Sequence, residues 1–326
     1  MSAADPLVAV VDCGPGDRER LAPLAAALPT RLADGAPDAD AIVARAAGAT
    51  VLVTIYTYTV VGEEVLAQLP DLRLVITRTA GHSHVDAEAA ARRGVAVAAV
   101  PEGPTAAVAE YTLAALLALR RDLLGAVAST RGGAWEFTAF RGGELAGQTL
   151  GVLGLGQIGG RIAQLAGALG MEVLGWSRSR RELPGVEQVG LEELLDRSHA
   201  ISVNLPLTAA TRGLLGAREL ELLPPGALVV DTSRGGIVAL DALCRLLRDG
   251  RLGGACLDVL PDEPVDAARL RELARVPNLL VTPHVSWHTE ETLRRQFDGL
   301  LRRVVAFCAG EPIDTVTPPL EQGANR

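Results

Sequence analysis

The sequence predicts an α/β protein built from two doubly wound parallel sheets, and three observations carry that prediction. Short runs of Val, Ile, Leu and Ala, too apolar for half-exposed strands, alternate with longer amphipathic stretches rich in Ala, Leu, Arg and Glu. That rhythm belongs to βαβα units with strands buried on both faces. The runs fall into two series separated by a long helical stretch, and at 326 residues and 48% hydrophobic the chain can bury two cores.

In the first series the strands are expected at "LVAVVD" (7–12), "TVLVTI" (50–55), "LRLVIT" (72–77) and "GVAVAAV" (94–100). Helical spacing over 111–129 predicts one helix long enough to bridge two domains. The second series is "QTLGVLGLG" (148–156), "MEVLGWS" (171–177), "HAISVNL" (199–205), "GALVVDTS" (226–233), "GACLDVL" (254–260) and "NLLVTPH" (278–284). A last amphipathic helix is expected over 289–310, with Leu293, Phe297, Leu300, Leu301 and Val304 on its apolar side.

A formal net charge of −8 argues against a general nucleic-acid or membrane-surface binder, which phosphates and anionic lipids would repel on average. No run offers the ~18 uncharged apolar residues of a membrane span, and the first residues carry an acid where a secretory leader needs positive charge. The expectation is a cytoplasmic protein. Cys13, Cys244, Cys256 and Cys308 lie far apart with no CxxC pair, so they read as small buried apolar residues rather than a disulfide or zinc framework. No metal site is expected, because His82-x-His84 and His284-x-x-x-His288 have no Cys or acid cluster to complete a ligand set.

The most informative turn is Gly154-x-Gly156-x-x-Gly159, placed after an apolar strand and before a helix that leads to the next strand. Gly154 is expected to make the tight turn, Gly156 to let backbone approach a pyrophosphate, and Gly159 to let helix pack on strand. The N–H groups around Gln157 and Ile158 would then point at phosphates from a helix N-terminus. Roughly 20 residues on, an NAD site usually places a carboxylate for the ribose hydroxyls. This chain has Ser177 there, followed by Arg178, Arg180 and Arg181. A hydroxyl and guanidinium forks suit a 2′-phosphate, so the cofactor expected is NADP(H), with NAD(H) possible.

Three more stretches place polar groups at strand carboxyl ends: "DTSRGGIV" (231–238), "LDVLPDEP" (257–264) and "VTPHVSWHT" (281–289). With the glycine turn, they resemble the D-isomer-specific 2-hydroxyacid dehydrogenases over nearly the whole chain. Residues 75–119 look most like the D-lactate dehydrogenase branch. The resemblance implies two Rossmann-like domains, with a dinucleotide-binding domain at 103–286 inserted into a discontinuous substrate domain at 1–102 and 287–326, and an active site in the cleft between them.

It also implies roles. Arg234 would be the cation for a substrate carboxylate and carbonyl. His284 would hold the proton for the carbonyl oxygen, and Glu263 would favour its imidazolium and fix its ring. Pro206, Thr211 and Thr232 would line the cofactor and Asp258 would face the nicotinamide carboxamide. Thr79, Ala80 and Gly81 would hold the substrate carboxylate through N–H groups, beside His82. Trp135 lies in a segment that in some relatives crosses a dimer, which suggests a homodimer.

The chain departs from the D-lactate branch where "GFDHID" is usual: it reads "GHSHVD", so His82 and Ser83 stand for an aromatic residue and Asp. A polar group there suggests a hydroxylated or acidic 2-oxo acid as substrate. Ala99 replaces an Asn that many members carry. The function expected is reduction of a small 2-oxo acid. The alternatives are phosphite oxidation, which uses the same residue types, and a dinucleotide-sensing corepressor, against which the lack of extra interaction segments around the expected elements weighs.

Overall fold

A computed structural model describes residues 6–316. The ends of the substrate domain expected from the sequence, 1–5 and 317–326, lie outside the described residues. The chain divides into two compact units, Met1–Gly103 with Thr289–Arg326, and Pro104–His288.

The first unit holds a five-stranded sheet: β1 (Val8–Cys13), β2 (Thr30–Asp34), β3 (Val51–Thr54), β4 (Leu74–Thr77) and β5 (Ala96–Ala99), in the order β2-β1-β3-β4-β5 and parallel throughout. β1, β3 and β4 are buried along their whole length, as expected of apolar runs covered on both faces. β2 was not expected. Its residues, TRLAD, are half exposed because it is an edge strand, so no apolar run marks it. The closing helix Glu290–Cys308 buries Phe297, Leu300 and Val304 in the same core as Val8, Val10 and Ile76.

The second unit holds seven parallel strands: β6 (Thr149–Leu153), β7 (Glu172–Trp176), β8 (Val186–Gln188), β9 (Ala200–Val203), β10 (Leu228–Asp231), β11 (Gly254–Leu257) and β12 (Leu279–Val281). Their order is β12-β11-β10-β9-β6-β7-β8. After β8 the chain returns to the other side of β6, so the order reverses between β6 and β9. Ligands of open α/β sheets bind outside the strand carboxyl ends at such a point. β8, a three-residue edge strand, also escaped the sequence reading.

The single helix expected over 111–129 is two helices, Pro104–Arg120 and Leu123–Arg131. Asp122 breaks them by taking a left-handed backbone (φ 44°), which Asp tolerates better than most residues. Pro104 suits the first helical position, where no N–H is needed. The second of these helices buries no residue.

Candidate active site

The glycine turn follows β6 at the strand-order reversal. Gly154 has φ 96°, and a Cβ there would overlap the Asn204 carbonyl oxygen after β9. A Cβ on Gly159 would overlap the Gly154 carbonyl oxygen, so helix Gln157–Ala168 sits hard against the turn. Gly156 differs: a Cβ there meets nothing within 4 Å. Space therefore opens at the position where a pyrophosphate needs close backbone, and the helix start, including Gln157 and Ile158, has no side-chain cap. Asn204, which sequence reasoning missed, keeps a buried Oδ1 with no partner among the described residues, while its amide holds Ser202. An open glycine, an uncapped helix start and an orphaned acceptor fit a dinucleotide.

At the end of β7, Ser177 Oγ donates to the Ser179 carbonyl (2.6 Å) and accepts from Gln188 Nε2 (3.1 Å). Gln188 also accepts the Arg181 N–H (2.9 Å), so this residue of β8, likewise missed, staples the 177–181 loop. The guanidiniums of Arg178 and Arg180 are exposed and make no ion pair or hydrogen bond among the described residues. An incoming anion would have no internal partner to displace.

Three residues expected to contact the cofactor already have partners within the protein. Thr211 Oγ1 donates to the Pro206 carbonyl (2.6 Å) and accepts the Thr208 N–H (2.8 Å), so the hydroxyl closes its own turn. Thr232 is buried with its hydroxyl 3.4 Å from Thr112 on helix Pro104–Arg120. Asp258 is fully buried, and its carboxylate accepts from Thr282 Oγ1 (2.6 Å), Val285 N–H (2.9 Å) and Ser286 N–H (2.9 Å).

The loops after β10, β11 and β12 come together. Asp231 Oδ1 accepts from both the N–H (2.8 Å) and Oγ (2.6 Å) of Ser233, a turn that precedes half-exposed Arg234. Burial pushes the Asp231 carboxyl up to about 7, against the Ser233 bonds and the Arg234 charge. Among the described residues Arg234 bonds only its neighbour's carbonyl, Ser233 O (2.7 Å). A Cβ on Gly235 would overlap the Leu260 carbonyl, so the Arg234 loop packs directly on the loop that carries Glu263.

Glu263 Oε1 accepts the Leu260 N–H (2.8 Å), and Oε2 lies 2.7 Å from His284 Nδ1. Burial by itself would raise the Glu263 carboxyl, but the bonds from His284 and Leu260 and the charges of His284 and Arg234 outweigh it and hold it below the usual carboxylate range. An ionised carboxylate on Nδ1 commits that nitrogen to donating and leaves Nε2 with no partner among the described residues. The site can thus bind an anion at Arg234 and hold a transferable proton at His284 Nε2.

In the first unit, the Thr79–Gly81 turn is partly self-occupied. Thr79 N–H donates to Thr77 Oγ1 (3.3 Å) and its hydroxyl to the Gly81 carbonyl (2.7 Å). The N–H groups of Ala80 and Gly81 have no acceptor among the described residues, and half-buried His82 keeps a partnerless Nδ1. Among the described residues no group of three or more His, Cys, Asp or Glu could hold a metal, and no helix is long and apolar enough to cross a membrane.

Comparison with known proteins gives matches along most of the chain. Residues 113–286 match the family described as D-isomer specific 2-hydroxyacid dehydrogenase, NAD binding domain. A glyoxylate reductase of Aeropyrum pernix is 37% identical over 286 residues, 84% of each chain. Among solved structures, D-lactate dehydrogenase from Aquifex aeolicus complexed with NAD and lactic acid superposes with a TM-score of 0.86 at 27% identity, over 96% of this chain and all of that one. An acyclic imino acid reductase in complex with NADPH and D-Arg does so with a TM-score of 0.86 at 25% identity, over 95% and 99%.

Proposed function

We propose, for a chain that belongs to the D-isomer-specific 2-hydroxyacid dehydrogenase family, that it reduces a small 2-oxo acid with NADPH in preference to NADH. The observation that carries the chemistry is the 2.7 Å contact of His284 Nδ1 with Glu263, which frees Nε2 to deliver a proton. The preference for NADPH rests on Arg178 and Arg180, which have no partner among the described residues, beside Ser177, where a carboxylate would repel a 2′-phosphate.

When bound, the nicotinamide supplies the hydride to the substrate's carbonyl carbon. Arg234 holds the carboxylate of the 2-oxo acid with its planar fork and stabilises the charge growing on the carbonyl oxygen. His284 Nε2 donates the proton that turns that oxygen into a hydroxyl, and Glu263 stabilises the imidazolium before transfer and keeps the ring from turning. In the oxidative direction the same nitrogen takes the proton back. In the first unit, Ala80 and Gly81 N–H form a two-donor cradle for a carboxylate, and the partnerless His82 Nδ1 favours an acid with a polar or charged side chain.

A homodimer is the assembly this reading includes. Trp135 and Phe137 are 95% and 86% exposed, and Leu123 and Leu124 are more than half exposed on the helix before them. Apolar side chains so uncovered mark a surface that pairs.

Turnover of NADPH and NADH, side by side, with glyoxylate, hydroxypyruvate, pyruvate, phenylpyruvate, oxaloacetate and phosphonopyruvate tests the proposal. NADPH consumption with the polar acids ahead of pyruvate is expected. Oxidation of phosphite with NADP and no turnover of any 2-oxo acid would overturn it.

A further inference from the structure

A hydrogen-bonded relay joins helix Pro104–Arg120 to the segment that carries His284. Tyr111 Oη donates to Thr282 Oγ1 (2.8 Å), and Thr282 Oγ1 donates to Asp258 Oδ1 (2.6 Å). Asp258 then fixes three successive residues. Its carbonyl accepts the His284 N–H (2.9 Å), Oδ1 the Val285 N–H (2.9 Å) and Oδ2 the Ser286 N–H (2.9 Å).

That grip has something to oppose. His284 has φ 55°, in the left-handed region, which a side-chain-bearing residue adopts only at a cost. Such a backbone persists where its surroundings over-determine it. A threonine hydroxyl carries one proton and can rotate; with Tyr111 donating to it, that proton is directed to Asp258. Asp258, where the relay ends, is buried, so its bonds to Thr282, Val285 and Ser286 lie out of solvent.

From this geometry we infer that Tyr111 and Thr282 are positioning residues for His284. Through Asp258 they hold the 284–286 backbone so that the imidazole stays on Glu263 with Nε2 free. The inference rests on the reading of His284 as the proton donor. Neither residue acts on the reacting atoms itself. A plain packing role would predict lost stability alone, whereas a positioning role predicts a changed proton-transfer step.

The two can be separated with Tyr111→Phe, Thr282→Val, Thr282→Ser and His284→Gln in the full chain, assayed with glyoxylate and NADPH across pH. Tyr111 and Thr282 line one apolar cavity of about 620 Å³, so phenylalanine at 111 removes only an oxygen at its wall. Thr282→Val is expected to lower kcat about tenfold or more, to displace the pH limb of kcat and to leave the KM for NADPH within about twofold. Thr282→Ser should restore both rate and profile, and Tyr111→Phe should shift them the same way by a smaller factor.

Unchanged pH profiles in both Tyr111→Phe and Thr282→Val, with only a lower Tm, overturn the relay while His284→Gln still abolishes turnover. Turnover persisting in His284→Gln overturns the proton-donor reading and the relay with it. Should Thr282→Val fail to fold, Tyr111→Phe decides.

Discussion

His284 and Glu263 meet at 2.7 Å between Nδ1 and Oε2, and the carboxylate is anchored from behind by the Leu260 N–H. Because Glu263 is held below the usual carboxylate range, it stays ionised as pH falls into the acidic region, and its contribution to folding is lost only below that range. Glu263→Gln should therefore lower kcat/KM for reduction by roughly 10²-fold or more and move the pH limb of reduction to lower pH. A pH–rate profile superimposable on the parent's would remove Glu263 from the proton-transfer step.

The arginine loop gives a second expectation. Arg178→Ala should raise the KM for NADPH about tenfold or more and change that for NADH little, since only the 2′-phosphate is lost as a partner. Ser177→Asp should move preference towards NADH. Equal effects on both cofactors in steady-state kinetics would count against the 2′-phosphate assignment.

Two glycines separate binding from folding. Gly159→Ala places a methyl group into the Gly154 carbonyl and should cost stability along with cofactor binding. Gly156→Ala meets no protein atom, so its Tm should match the parent's while cofactor affinity drops by an order of magnitude or so. Calorimetric titration beside thermal denaturation reads both, and intact affinity in Gly156→Ala would place the pyrophosphate elsewhere.

Asp231 supplies a pH effect of opposite sign. Its folded-state carboxyl, raised to about 7 by burial, contributes stability that is fully present below the unfolded value of 3.8 and is lost as pH rises through about 7. Asp231→Asn keeps an oxygen for Ser233 without the charge. The variant should melt higher than the parent at pH 8, by about 3 °C or more, and within about a degree of it near pH 3.5. A difference that does not vary with pH would refute the buried-charge account.

For the exposed aromatics, Trp135→Ser with Phe137→Ser should shift the protein towards monomer in sedimentation velocity without altering the helical content of either unit. A parent protein that already sediments as a monomer at micromolar concentration would rule out the homodimer.

Strands buried on both faces were legible because their residues are uniformly apolar, whereas edge strands β2 and β8 carry half-exposed polar residues and look like loops. The break at Asp122 was hidden because apolar spacing runs straight through it and only a backbone angle records it. That the Gly154 turn would follow an apolar strand, and that Arg234, Glu263 and His284 would lie on loops after strands, was legible because each stretch reads as an apolar run that breaks into polar residues. The internal partners of Thr211, Thr232 and Asp258 were not legible for the complementary reason: a motif gives a side chain's identity, not the groups the fold sets beside it. Gln188 and Asn204 carry no residue-type signal at all, and only the fold brings them beside the arginine loop and the glycine turn.

The helix Glu290–Cys308 also sets an order of events during synthesis. A ribosome that has released the chain as far as His288 has delivered every residue of the second unit, whose seven strands and their core can already close. The first unit, begun earlier, still lacks Phe297, Leu300 and Val304 and must leave part of that core uncovered beside β4 and helix Asp17–Ala27. The part of the protein translated first is therefore finished last, and a nascent-chain binder that shields apolar surface has its target on the amino-terminal sheet until the final helix arrives.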